Sequence, residues 1–283
     1  MKNILIVYYV PPNTVKYNNW TDGFTSALDI IASQFNIIKY NLADNQTVLN
    51  NNYFKTNNID LILVKSNWNA RIDRFFRQKL LNIETKKGLL ISGSLPPPNQ
   101  EALNYYDILF YETDWYKKFV KNHKNIVHAF GIDTEIMRPI NGLEKKYDWL
   151  TVGKFKNYKR QYKLLEKTGK RLAIGEMPYN TSIFYYFSES NRILRNLKRG
   201  NIEVIDFVAY ENLCTIYNKT KNVYIPAKLQ GGGERAILEA RACEVPNIEI
   251  EPDNPKLQSL LNSPIYSHTY YAEQLKNGIN SLI

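Results

Sequence analysis

The chain has 283 residues, a length that suits two small domains better than one. A hydrophobic share of 44% with 23% charged residues excludes general disorder, and two cysteines with three histidines exclude a disulfide framework and any metal site recognisable from ligand spacing. A net charge of +10 favours anionic partners such as nucleotides, nucleic acid or an acidic membrane face; the alternative is a merely basic surface.

In chain order, "NILIVYYV" is a continuous apolar run stopped by two prolines, as expected of a parallel strand buried on both faces. The opening "MKNILIVYYVPPN" is too short to span a bilayer and lacks a small-residue cleavage site, and no later run is long enough for a membrane helix. With so few cysteines, the expectation is a cytoplasmic protein. "NNWTDGFTSALDIIASQF" places Phe24, Ala27, Leu28 and Ile31 at helical spacing after Asp22 and Gly23. There follow the strands "NIIKYNL" and "IDLILVKS", a basic helix "RIDRFFRQKLL", the strands "GLLISGS" and "YDILFYE", and a helix "WYKKFVKNH". "RPINGLEKKYD" is polar, holds Pro139 and Gly142, and reads as a linker. The alternation then restarts with "WLTVGKF", a helix over 160–168 ("RQYKLLEKT"), "RLAIGE", the helix "ESNRILRNLKR", "NIEVIDFV", the helix "YENLCTIYNKT" and "NVYIPA". The run "QGGGERAILEARACEVP" comes next, and "EQLKNGINSLI" closes with helical spacing. Repeated strand–helix alternation predicts an α/β protein of two doubly wound, Rossmann-like domains facing a central cleft. The expected domains are 1–141 and 142–283, the last helix being free to pack back on the first.

Three consecutive glycines between a strand and a helix bring bare backbone N–H groups, and the positive end of a helix dipole, to an anion. The alternative is a flexible turn. Arg235 and Glu239 lie four apart on one helical face, so Glu239 is either half of a surface ion pair or a carboxylate that accepts from ribose hydroxyls. Lys154 and Lys159 follow a strand and Gly153, where cations suit phosphate; the alternative is a solvated basic helix start.

"GGGERAILEARACEVP" resembles the donor-site signature of the retaining nucleotide-sugar glycosyltransferases with two Rossmann-like domains, the GT-B fold (group 1, family 4). "TVGKFKNYKR" is similar to that family's Val-Gly-Arg stretch, and "AFGIDTEIMRP" to its Asn-Gly-Ile-Asp element, at Gly131, Ile132, Asp133 and Pro139. The resemblance is strong in the second domain and thin in the first, where only Gly23 fits the family's Gly-Gly turn. It implies a metal-independent hexosyltransferase with no required cofactor, whose donor is a nucleotide sugar similar to UDP-glucose, and transfer with retention. Lys154 and Lys159 would hold the diphosphate; Gly23, Gly231, Gly232, Gly233 and Arg235 would line the donor site; Glu239 would take the ribose; and Phe207 and Val208 would flank the base. The family's first glutamate falls at Gly231, which leaves Glu234 as its replacement or as a residue that favours the helix N-terminus. Glu244 stands where the family has glycine. Asp22 is the candidate general base if the reaction inverts, and otherwise a helix cap.

The resemblance assigns the acceptor to the first domain. Arg71 and Arg74 in "RIDRFFRQK", and Lys117 and Lys118 in "WYKKFVKNHK", interleave cations with aromatics. That pattern suits DNA, with bases stacking on the rings, or peripheral contact with an anionic membrane; the alternative has the aromatics facing the core. Compact, basic enzymes of this fold modify hydroxymethylated bases of phage DNA, so DNA stands beside lipid-linked and polysaccharide acceptors. A reading from another class is a catalytically inactive nucleotide- or DNA-binding module.

Overall fold

The computed structural model describes residues 1–10, 22–44, 49–66, 68, 70–93, 95–176, 188–229 and 232–283. The chain forms two compact α/β units.

The first unit comprises Met1–Pro12, Gly23–Gly131 and Ser267–Ile283. Its strands are β1 (Lys2–Tyr8), β2 (Phe35–Asn41), β3 (Ile59–Ser66), β4 (Lys86–Ile91), β5 (Ile108–Tyr111) and β6 (Ile126–His128). They pair in parallel in the order β2-β1-β3-β4-β5-β6. The apolar runs of β1 and β3 are central, and Ile4–Val7 and Leu61–Val64 are sealed from solvent because helices cover both faces. Five of those helices are α1 (Gly23–Ile31), α2 (Asn51–Thr56), α3 (Ala70–Phe75), α4 (Glu101–Asn104) and α5 (Asp114–Val120). The Asn50 side chain accepts from Tyr53 N at 2.9 Å and caps α2. α3 runs on into a π-helical turn, Phe76–Leu80, so the helix expected here changes its hydrogen-bond pattern midway. The helix His268–Asn280 completes the unit: the Tyr271 ring lies 5.9 Å from Phe24 of α1, and Gly278 lies against Phe110.

The second unit comprises Asn13–Asp22 and Ile132–Tyr266. Its strands are β7 (Tyr147–Val152), β8 (Arg171–Ile174), β9 (Glu203–Ile205), β10 (Thr220–Ile225) and β11 (Asn247–Ile250), all parallel in the order β11-β10-β7-β8-β9. Its α-helices include α6 (Glu189–Arg199), α7 (Tyr210–Asn218), α8 (Glu234–Ala242) and α9 (Pro255–Ser259). The helix expected over 160–168 is instead a 3-10 helix, Gln161–Glu166, preceded by a second 3-10 turn, Asn157–Lys159. Arg160 separates them in a left-handed conformation, φ 49°, which an α-helix cannot contain. β6 and β11 were not expected; each is a short edge strand. Among the described residues no helix is long and apolar enough to cross a membrane, and no group of three or more His, Cys, Asp or Glu side chains could hold a metal ion.

Candidate functional site

In the second sheet the chain starts at β7 and winds outward in both directions, so β7 has β10 on one side and β8 on the other. That is the topological switch point, where the loops beyond the strand ends diverge and leave room for a ligand. The loop after β7 carries Gly153, Lys154 and Lys159; the loop after β10 leads to Gly232, Gly233 and α8.

Arg160 and its neighbours fasten the two loops together. Its left-handed backbone sends the guanidinium under the β10 loop, where Nε donates to Pro226 O at 2.5 Å and Nη2 to Ala227 O at 3.3 Å. The same guanidinium grips Asp253 with two bonds of 2.7 and 2.6 Å. Lys228 N donates to Tyr158 O at 2.8 Å, and Gln161 Nε2 to Gly153 O at 2.7 Å. A bidentate arginine pair fixes geometry as well as charge.

Gly232 and Gly233 have φ of 68° and 130°, a region that side chains rarely adopt. A Cβ on Gly233 would lie 2.9 Å from Ile225 Cγ2. Gly231 lies outside the described residues. A Cβ on Gly232 would lie 3.3 Å from Lys159 Nζ and 3.4 Å from Glu234 Oε2, so backbone, ammonium and carboxylate meet at one point at the start of α8. Lys159 is part-exposed as a residue, yet its amine is packed round by protein. Burial pushes its pKa down to about 8; the Glu234 charge works against this, while Lys256, Lys154 and Arg235 add to it. Lys154 is exposed and pairs with Glu176 at 3.2 Å.

Glu234 is buried and ion-paired with the equally buried Lys256 at 2.6 Å. Glu239 is only 3% exposed. The surface ion-pair reading therefore fails: Arg235 pairs with Asp22 at 2.6 Å, and Glu239 accepts from Tyr217 Oη at 3.1 Å. Burial raises the Glu239 carboxyl to about 7, against the pull of Arg235 and the hydrogen bond of Tyr217. Asp22 is itself buried. Phe207 and Val208 are part-exposed in the loop after β9, with Phe207 N bonded to the Asp206 carboxylate at 2.7 Å.

The structure thus gathers Asp22, Lys154, Lys159, Gly232, Gly233, Glu234, Arg235 and Glu239 in the second unit, with Phe207 and Val208 two strands from β7 on the same edge of the sheet. Lys256, Arg160 and Tyr217 escaped the sequence reading. Lys256 follows an Asn-Pro helix start, a local cue in the sequence.

The remaining candidates lie in the first unit. Gly23 is the buried first residue of α1. Arg71 and Arg74 are on α3, Lys117 and Lys118 on α5, all four exposed. The aromatics beside them face inward: Phe76 stacks on Tyr106 at 4.6 Å and Phe75 on Tyr40 at 6.0 Å. Arg71 hydrogen-bonds the Tyr9 hydroxyl and covers its ring at 4.9 Å, and Lys118 covers Trp115 at 4.4 Å. These rings are engaged within the protein, so the core-facing alternative describes them. His123 and His128 bond backbone carbonyl groups, as structural histidines do.

No family model matches the chain, and no curated protein matches it. Solved structures do. Anabaena HepE in complex with UDP and glucose is 10% identical, over all of both chains, at a TM-score of 0.65. Sucrose-phosphate synthase from Thermosynechococcus elongatus is 12% identical over 100% of this chain and 95% of its own, at 0.63. UDP-GlcNAc 2-epimerase from Methanocaldococcus jannaschii is 11% identical over 99% of this chain and all of its own, at 0.55. The chain has the two-unit α/β fold of these proteins, GT-B.

Proposed function

We propose that the protein is a glycosyltransferase that takes a hexose from a UDP-sugar and transfers it with retention to an acceptor hydroxyl. The observation that carries this reading is the meeting of Lys159, the left-handed glycines and the N-terminus of α8 at the switch point of the second sheet. Breaking the bond to the sugar leaves a diphosphate whose charge grows in the transition state. Preorganised cations and backbone donors stabilise that charge without having to reorganise. Lys159 and Lys154 supply the cations in this reading, and Gly232 and Gly233 the close backbone. Gly231, next to them in the chain, belongs to the same donor site in this reading. Glu239 takes the ribose, Phe207 and Val208 the base, and Asp22 anchors Arg235 rather than serving as a base. The reading needs no metal.

The acceptor side rests on the exposed cations Arg71, Arg74, Lys117 and Lys118, which suit an anionic acceptor. DNA with hydroxymethylated bases is the first to test, against lipid-linked and polysaccharide acceptors.

The test is UDP release from UDP-glucose and UDP-galactose, in excess EDTA, with each acceptor and with none. Acceptor-dependent release of UDP from one donor is the expected result. Conversion of a UDP-sugar to its epimer without UDP release would replace transfer by epimerisation. Nucleotide binding without any turnover would leave a binding module.

A further inference from the structure

We propose that Lys256 is a positioning residue for recognition of the donor sugar: it holds Glu234 as a fixed, ionised acceptor, so that the site distinguishes a nucleotide sugar from its nucleotide. The inference rests on the donor-binding reading above and deepens it.

Lys256 is 4% exposed, although lysines are almost never so buried unless paired. Its placement is built from the backbone up. Asn254, fully buried, donates from Nδ2 to Ala227 O at 2.8 Å and accepts from Leu257 N at 3.3 Å. Pro255 then sets the first helical turn of α9. Lys256 is therefore delivered from a turn tied directly to the β10 loop, and its Nζ meets Glu234 Oε1 at 2.6 Å.

A buried ion pair adds little net stability, because the cost of desolvating both charges offsets their attraction. What this pair does supply is orientation. With Oε1 held by Lys256, Oε2 is turned toward Gly232, the spot that Lys159 Nζ also faces. An ionised carboxylate only accepts hydrogen bonds, so it selects hydroxyl groups and repels phosphate. A sugar joined to a diphosphate that Lys159 holds brings its hydroxyls to this oxygen. Lys256 also offsets the Glu234 charge, so a carboxylate can stand beside an anion site without expelling the anion. Lys159 alone accounts for a phosphate site; the Glu234–Lys256 pair accounts for one that reads what the phosphate carries.

The test compares dissociation constants for UDP and UDP-glucose by calorimetry. Lys256→Met alone leaves a buried carboxylate without its lysine and endangers folding, so the decisive variant is Glu234→Gln with Lys256→Met, which keeps the local net charge. The ratio of the UDP-glucose constant to the UDP constant is expected to rise at least tenfold over the unaltered protein. An equal loss for both ligands would reduce the pair to a prop for the loop and overturn the inference, as would an unchanged ratio. Failure of the unaltered protein to bind either ligand would overturn the donor-binding reading, and the inference with it.

Discussion

At the scale of the single residue, the candidate site holds its charges at a cost. Lys159 is protonated below about pH 8, because burial makes that charge unfavourable and the Glu234 carboxylate offsets only part of the cost. Lys159→Met should therefore stabilise the ligand-free protein by about 1–3 kcal/mol, read as a higher Tm, while weakening UDP binding by roughly a hundredfold or more. A variant that lost affinity and stability together would make Lys159 a structural residue. Glu239 gives a pH-dependent case. Its carboxyl titrates near 4.5 unfolded and near 7 folded, so the folded state holds an extra proton between those values. The contribution to stability is full below about pH 4.5, is lost as pH rises toward 7, and stays lost above it. Glu239→Gln removes the titration, so its stability gain over the native protein should be larger at pH 8.5 than at pH 4.5, by up to about 3 kcal/mol. Calorimetric unfolding at the two values checks this, and an equal difference at both would place the Glu239 titration elsewhere. Glu239, Lys154 and Lys159 were legible in the sequence because strand, glycine and helix signals surround them. Lys256 was not, since its role depends on Asn254 reaching the β10 loop, a contact between residues 27 apart in the chain.

At the scale of elements, α8 starts at the candidate site and ends under strain. Val245 N bonds Ala240 O at 3.0 Å and Glu244 N bonds Arg241 O at 3.0 Å, the paired closure of a helix that turns left-handed. The left-handed residue is Glu244, φ 52°, where a glycine would pay no steric penalty. Glu244→Gly is expected to stabilise the protein by about 1 kcal/mol, measurable as a higher denaturation midpoint with unchanged slope. A lower midpoint would show that the Glu244 side chain contributes more than its backbone costs. The departure from the family pattern at this position was thus visible as a letter, and its meaning only as a dihedral angle. Long apolar runs gave β1 and β3 without ambiguity, and the spacing in "ESNRILRNLKR" gave α6 to the residue. β11 was missed although "NIEI" alternates polar and apolar residues, because it does so over only four positions, the shortest run in which that pattern argues for a strand. The 3-10 helix at Gln161–Glu166 was missed because its cause lies outside it, in the grip of Arg160 on Asp253.

At the scale of the whole molecule, the first unit is built from stretches on both sides of the second. Gly278 shows how closely the late stretch fits: a Cβ there would lie 2.5 Å from Phe110 Cε1 and 3.0 Å from Ile108 Cδ1. Gly278→Leu should cost about 1–3 kcal/mol by overpacking, seen as a lower Tm, and a neutral result would mean that the helix His268–Asn280 shifts freely on the sheet. The same arrangement has a consequence for synthesis. A ribosome adding ~5–20 residues per second finishes β6 and must then make residues 132–266 before it reaches Ser267, a delay on the order of ten seconds. Through that interval the packing of Tyr271 against Phe24 of α1 cannot yet form. The nascent first unit therefore waits for its last helix, while the second unit, contiguous apart from a short early segment, can complete its fold first.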